Sequence, residues 1–374
     1  MAEINQDAKS VGQAKSLPFG AVLRKAIKRE FGTGKEFAAK SGVSEGRVSQ
    51  LLSGTESLTA QTLEDILRSF SNLGDQERLH SAWVSTFAPS PLQGLEIREA
   101  QDSAYRLLQT RECLAAEGQA KESMKALQAL KARVKDVELT FGILSASIEL
   151  SLFLGRSEQA RQFCATLIRE ATDKGEMAWI AQALWLTANV ARAAPESSSA
   201  RLAQSHDAAR DFVSAWKPSS LEGRQKAIEL RRTLIRDRAL TLLALNERKP
   251  VPEPQLAKIA EDLERQLAAS DFRSETVAVF LEVKGRVLLS QGETIATEEV
   301  IEEASQIRAF VSPDHDIKSA ILSGQLLLAR GLPEKARAVL LDALDACYEV
   351  DNLHHARSIE RILSRSNQQT PSNG

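Results

Sequence analysis

The stretch EFAAKSGVSEGRVSQLLSG, Glu36 to Gly54, constrains the fold more than any other part of the chain. Phe37, Ala38, Val43, Val48, Leu51 and Leu52 recur at helical spacing, but Gly42 interrupts them and Gly46 follows. Each glycine inside a helix costs about 1 kcal/mol relative to alanine, so one continuous helix is the poorer solution. Two short helices fit better. Thr33 followed by Glu36 is a capping box, which starts a helix near Gly34 and runs it to Ser41. Gly42 is the expected stop, because the left-handed conformation after a helix is cheapest for glycine. Ser44 then caps a second helix, Glu45 to Ser53, closed by Gly54. Ala38 is small enough for the two helices to cross closely. Val43 plugs the core, and Val48 and Leu51 form the inner face of the second helix. Glu45, Gly46, Arg47, Ser49 and Gln50 are left facing outward.

The flanking sequence extends the pattern. Pro18 to Phe31 reads as an amphipathic first helix with Val22, Ile27 and Phe31 inward, and TAQTLEDILRSF reads as a fourth helix capped by Thr59. The spacing Ala-x3-Gly-Val-x4-Val-Ser-x-Leu, the closing Gly54 and the downstream Leu-Thr-x3-Leu-x-x-Ile-Leu are similar to those of the Xre/Cro family of phage and bacterial repressors. Leu52 stands where that family usually has glutamate. The resemblance covers Phe19 to Ser71 and implies a lambda-repressor-like helix-turn-helix domain that binds double-stranded DNA. It also implies a homodimer on a palindromic operator, with the second helix in the major groove. Carried over residue by residue, it assigns DNA contacts to Ser44, Glu45, Gly46, Arg47, Ser49 and Gln50. Arg47 suits guanine, Gln50 adenine and Glu45 the cytosine amine. Thr33, Gly34 and Lys35 would hold a phosphate at a helix N-terminus. The helix cost of Gly46 makes sense if the backbone must approach DNA closely. Charge agrees with a polyanionic partner: Lys15 to Gly54 holds eight basic residues against three acidic ones, +5 in a chain whose net charge is −2.

From about Leu95 onward the sequence is helix after helix, without a convincing alternating strand. LAAEGQAKESMKALQALKA, LFLGRSEQARQFCATLIREA and LLARGLPEKARAVLLDALDA share a glycine turn (Gly118, Gly155, Gly331). A small residue follows five positions on (Ser123, Ala160, Ala336), and an apolar one twelve on (Leu130, Leu167, Ala343). Gly292 marks a further turn. These segments resemble tetratricopeptide-type repeats, in which the small residue sits where two antiparallel helices touch. A superhelix of roughly six to eight helix pairs, each about 34 to 40 residues, is expected. The expected organisation is all-α. It comprises a disordered N-terminus (1–16), a helix-turn-helix domain (17–73), a connecting helix and Pro-rich linker (74–94), a helical-repeat sensor and dimerisation domain (95–366) and a disordered tail (367–374). In the connecting segment Gly74 is expected to stop one helix and Asp75 to cap the next.

A helix-turn-helix joined to such an array resembles the cytoplasmic peptide-pheromone regulators of bacteria and phages. That likeness implies a peptide or protein ligand in the concave groove. Trp179, Asn189, Arg192 and Arg236 are the candidate ligand contacts, since asparagine offers a peptide backbone both a donor and an acceptor. The alternative reading is a protein-interaction scaffold or toxin–antitoxin component whose helix-turn-helix serves autoregulation.

Other classes are disfavoured. No apolar run approaches the roughly 18 to 20 residues of a membrane span, and MAEINQDAKSVGQAKS lacks the apolar core of a signal peptide, so a cytoplasmic location is expected. Cys113, Cys164 and Cys347 are odd in number and far apart, as expected of reduced core thiols. Neither a phosphate loop nor HExxH is present. PDHDIK at Pro313 to Lys318 reads as an Asp-rich helix cap, and His354 and His355 are expected on opposite sides of a helix. No enzyme, metal or cofactor is expected.

Overall fold

The computed structural model describes residues 19–54, 58, 60–87, 97–194, 197–268, 274–306 and 315–369. The expected disordered N-terminus, residues 370–374 of the expected disordered tail, the Thr59 cap, the Pro-rich linker and the start of PDHDIK lie outside these residues, as does the Cys113 side chain. Residues 367–369 of that tail are helical instead, in a last helix that continues to Gln369. Among the described residues all regular structure is α-helix. The chain divides into two compact units, residues 1–88 and 89–374.

The first unit contains α1 (Phe19–Glu30), α2 (Gly34–Ser41), α3 (Glu45–Ser53), α4 (Ala60–Ser69) and α5 (Leu73–Phe87). Its punctuation follows from side chains that satisfy the orphan amides of helix starts. The Glu36 N–H donates to Thr33 Oγ1 at 3.2 Å, and the Arg47 N–H to Ser44 Oγ at 3.4 Å. Gly42 has φ 71°, a left-handed value that lets its N–H return to the Ala38 carbonyl and turn the chain between α2 and α3. Phe37, Val43, Val48 and Leu51 are buried, together with Leu63, Ile66, Leu67 and Phe70 of the α4 region. Phe31, Phe37 and Phe70 meet one another with ring centroids 5.1 to 5.5 Å apart.

Three sequence expectations are corrected here. The inner stripe of α1 is Phe19, Leu23, Ala26 and Ile27: Ile27 is buried as expected, but Val22 and Phe31 are only half-buried, because Phe19, Leu23 and Ile27 recur four residues apart on the inward face. Gly74 does not stop a helix. It lies within α5, which is capped instead by Asn72, whose Oδ1 accepts from the Asp75 N–H at 3.1 Å. Asp75 is buried and paired with Arg29 of α1, so an apparent cap residue ties two helices together. α5 also belongs with the first unit: it packs on α1 and α4, and Trp83, 0% exposed, donates from Nε1 to the Leu58 carbonyl at 3.1 Å.

One close approach has no periodicity signal. A Cβ on Gly20 would lie 2.7 Å from the Leu51 carbonyl oxygen and 2.8 Å from that of Leu52. α1 therefore presses its backbone against the end of α3, and Arg24 adds a hydrogen bond to the Leu52 carbonyl at 3.2 Å. Since backbone cannot rotate away, Gly20→Ala should destabilise this unit by about 1 to 3 kcal/mol, the usual cost of overpacking. Thermal denaturation of a variant pair in which Trp179, Trp185 and Trp216 are replaced by Phe, so that Trp83 alone reports, would measure it, and an unchanged midpoint would contradict the contact.

The second unit pairs its helices: α6 (Ile97–Ala116) with α7 (Ala120–Lys131), and α8 (Val137–Phe153) with α9 (Ser157–Lys174). The pairs α10 (Met177–Ala193) with α11 (Ser199–Ala215) and α12 (Leu221–Asn246) with α13 (Glu253–Ala268) follow. Then come α14 (Ser274–Ser290) with α15 (Thr294–Ser305) and α16 (His315–Ala329) with α17 (Pro333–Glu349), before a last helix, α18 (Leu353–Gln369). The even-numbered helices from α6 to α18 also touch one another in succession. Gly118, Gly155, Gly292 and Gly331 occupy the same place in four of the pairs, with φ between 66° and 83°. The small residues five positions on, Ser123, Ala160 and Ala336, are buried, and so is Thr297 after Gly292. Leu130, Leu167 and Ala343 are buried at the twelfth position. The segment 247–252 merely connects α12 to α13, its turn held by the Val251 N–H donating to Asn246 Oδ1 at 2.8 Å.

The array winds back on itself. α18 touches α8, Arg357 donates to the Gly155 carbonyl at 2.8 Å, and Lys121 pairs with Asp351 at 2.9 Å. No helix among the described residues is long and apolar enough to cross a membrane.

Candidate functional site

Two regions bring polar side chains together without an obvious packing role. The first is the outer face of α2 and α3. Glu45, Gly46, Ser49 and Gln50 are exposed along α3, and Thr33 and Lys35 are exposed at the start of α2. The two stretches are neighbours: a Cβ on Gly34 would lie 3.7 Å from Val48 Cγ1. The amides that open α2, the positive end of its dipole, therefore sit beside the exposed stripe of α3. Gly46 has open space around the position a Cβ would take. Nothing in the folded chain explains glycine there.

Arg47 is placed differently from its neighbours. It is half-buried, and its Nη2 donates to Thr62 Oγ1 of α4 at 3.2 Å. The other basic residues of the first unit divide similarly. Arg24 and Arg29 are committed to Leu52 and Asp75, and Lys40 lies 5.3 Å from the Phe31 ring centroid. Lys25, Lys28 and Lys35 are exposed.

The second region is an open cavity of about 860 Å³ lined mainly by α8, α10, α12, α14, α16 and α18 of the second unit. Asn189 and Arg192 line it, but Trp179 and Arg236 are not among its lining residues. Trp179 meets Phe141 with ring centroids 5.7 Å apart and donates to Glu138 Oε2 at 2.8 Å, packed against the apolar cluster of α8, α9 and α10. Arg236 is held 3.1 Å from Asp237 Oδ1. Sequence periodicity identifies the helices that carry these residues, but not which of their faces meets the cavity.

Asp237 organises this part of the unit. It is 0% exposed and accepts from Arg236, from Arg192 at 3.4 Å and from the Trp185 indole N–H. Burial alone would push its carboxyl up, but the two guanidinium groups and the indole outweigh that and hold it below its ordinary 3.8. Burial lowers the Arg192 guanidinium from its ordinary value, and Asp237 opposes the shift. Arg192 Nη2 also donates to Asn189 Oδ1 at 2.6 Å, so the asparagine expected to hold a ligand is already engaged.

His354 and His355 do not stand on opposite sides of their helix. Consecutive helical residues are separated by about 100°, and here the two rings lie 5.1 Å apart with both residues lining the cavity. Among the described residues no group of three or more His, Cys, Asp or Glu side chains is placed to hold a metal ion. Cys164 and Cys347 are buried free thiols, and burial pushes Cys164 up to about 11, which makes it a poor nucleophile. No protein-family model matches the chain, and no curated protein matches its sequence.

Proposed function

We propose that the protein is a sequence-specific DNA-binding regulator of the Xre/Cro helix-turn-helix type. In this reading α3 lies in the major groove and the second unit is a tetratricopeptide-like array that receives a signal. The observation that carries the reading is the α2–α3 pair: two capped helices joined at a left-handed Gly42, with an exposed stripe beside the N-terminus of α2. In this arrangement the stripe reads base edges while the α2 amides and Lys35 hold a phosphate. Exposed Lys25 and Lys28 add sequence-independent attraction. Binding is as a homodimer on a palindrome, and a ligand acts by favouring one dimer geometry over another.

Selection of bound DNA from a random pool tests this directly. Recovery of a two-fold symmetric sequence is the expected result. Enrichment of nothing beyond the starting pool would refute the reading.

Gly46 supplies a sharper test, because the two expected effects have opposite signs. Its surroundings are open, so Gly46→Ala should stabilise the free protein by up to about 1 kcal/mol through helix propensity. If the backbone approaches DNA here, the same methyl should weaken binding to the selected sequence. Thermal midpoint and affinity measured on one preparation would decide it. A variant that is both more stable and fully active would show that DNA does not approach Gly46.

A further inference from the structure

We propose that the cavity of the second unit is a binding site for a small polyanion, a molecule carrying clustered phosphate or carboxylate groups. The charge lining it is lopsided. Seven Lys or Arg residues face three Glu, although the whole chain carries a net charge of −2. Each of the three acids already has an arginine: Glu149 pairs with Arg111 at 2.8 Å, Glu282 with Arg286 at 2.6 Å, and Glu247 with Arg365 at 3.5 Å. Of the remaining cations Arg192 is shared with Asp237, which lies outside the lining, while Arg357 and Arg361 face the same space with no carboxylate of the lining paired to them. Such convergence repels itself, and an anion relieves it.

Unsatisfied donors point the same way. Asn352, 1% exposed, uses its Oδ1 to cap α18 by accepting from the His355 N–H at 3.2 Å, but its Nδ2 is buried without a hydrogen-bond partner. Arg192 Nη1 is likewise buried without a partner. Both residues line the cavity, and both orphan atoms are donors, so an acceptor is what is missing. Asp351, immediately before Asn352, is the only described non-glycine residue with positive φ, at 57°. That conformation is uncommon outside glycine, and here it precedes Asn352 at the N-cap of a seventeen-residue helix. The opening amides of α18, an orphan amide nitrogen and several guanidinium groups together suit phosphate or carboxylate oxygens. A volume of about 860 Å³ admits a molecule of nucleotide size.

The inference does not depend on what the first unit binds. It is tested by isothermal titration of the full-length protein with tripolyphosphate and with citrate, at constant ionic strength set by sodium chloride. Saturable binding of at least one is expected. Preference for tripolyphosphate would assign a phosphate ester, and preference for citrate a polycarboxylate. Asn352→Asp keeps the cap acceptor but replaces the donor with a negative oxygen, and should weaken binding about tenfold or more. Arg361→Gln, at an exposed position, should weaken it without threatening the fold, and Arg361→Lys should recover part of the loss. Binding of neither anion, or equal affinity in the wild type and in a folded Arg361→Gln variant and Asn352→Asp variant, would overturn the proposal.

Discussion

Asp237→Ala is expected to cost the second unit about 3 to 5 kcal/mol, enough to unfold many domains of ordinary stability. The size follows from what the substitution leaves behind. Arg192, Arg236 and the Trp185 indole all donate to this one carboxylate, and Arg192 is mostly buried, with one nitrogen lacking any partner. Removing the acceptor strands a buried positive charge, which costs far more than the ion pair itself contributes. Two controls separate these effects. Replacing the acid together with both arginines, Arg192→Met and Arg236→Met with Asp237→Leu, should cost much less than the sum of the single changes, because no uncompensated charge remains. The second control is pH. Asp237 titrates below its ordinary 3.8 in the folded state, so its stabilisation is fully present above that value and is lost as pH falls through the folded value. Wild type and Asp237→Ala should therefore differ most near neutrality and converge in strong acid. Denaturant titrations at pH 7 and pH 3 would show it. A difference below about 1 kcal/mol at pH 7 would mean that Arg192 reaches solvent through the cavity once its partner is gone.

Residues such as Asp237 mark the limit of what the sequence reveals. The helix boundaries of the first unit were legible because caps and glycine stops act locally: Thr33, Gly42, Ser44 and Gly54 each settle a few dihedral angles by themselves. The repeat turns were legible for the same reason, through Gly118, Gly155 and Gly331 with their small partners five residues on. Asp75 misled because a first-turn aspartate usually caps, whereas its actual partner, Arg29, is 46 residues away. Arg236 and Trp179 fall outside the cavity lining for a similar reason, since helical spacing does not say which face an array turns inward. The cavity is assembled by six helices spread over more than 200 residues, and its excess of positive charge shows only when they are brought together. Gly20 was silent because a single small residue has no period.

The largest expected effect on function concerns Arg47 and Gln50. On the proposed reading Gln50→Ala should weaken binding to the selected DNA by about 1 to 3 kcal/mol and relax preference at one base pair. Arg47→Ala should do the same, but Arg47 also bridges α3 to α4 through Thr62, so its loss could act through stability instead. Thr62→Val removes the intramolecular acceptor while leaving the arginine in place. If Arg47 reads a base, it must leave Thr62 to do so, and Thr62→Val should keep or improve affinity. If Arg47 only braces the two helices, Thr62→Val should reproduce the loss seen in Arg47→Ala. Lys35→Ala is the contrasting case, since a phosphate contact carries no sequence information. It should weaken binding to all sequences alike and reduce the dependence of log affinity on log salt by about one. Affinities measured across salt concentrations, on the selected sequence and on single-base variants of it, separate these roles. Wild-type affinity and base preference in both Arg47→Ala and Gln50→Ala would place the DNA-reading surface on some face other than α3.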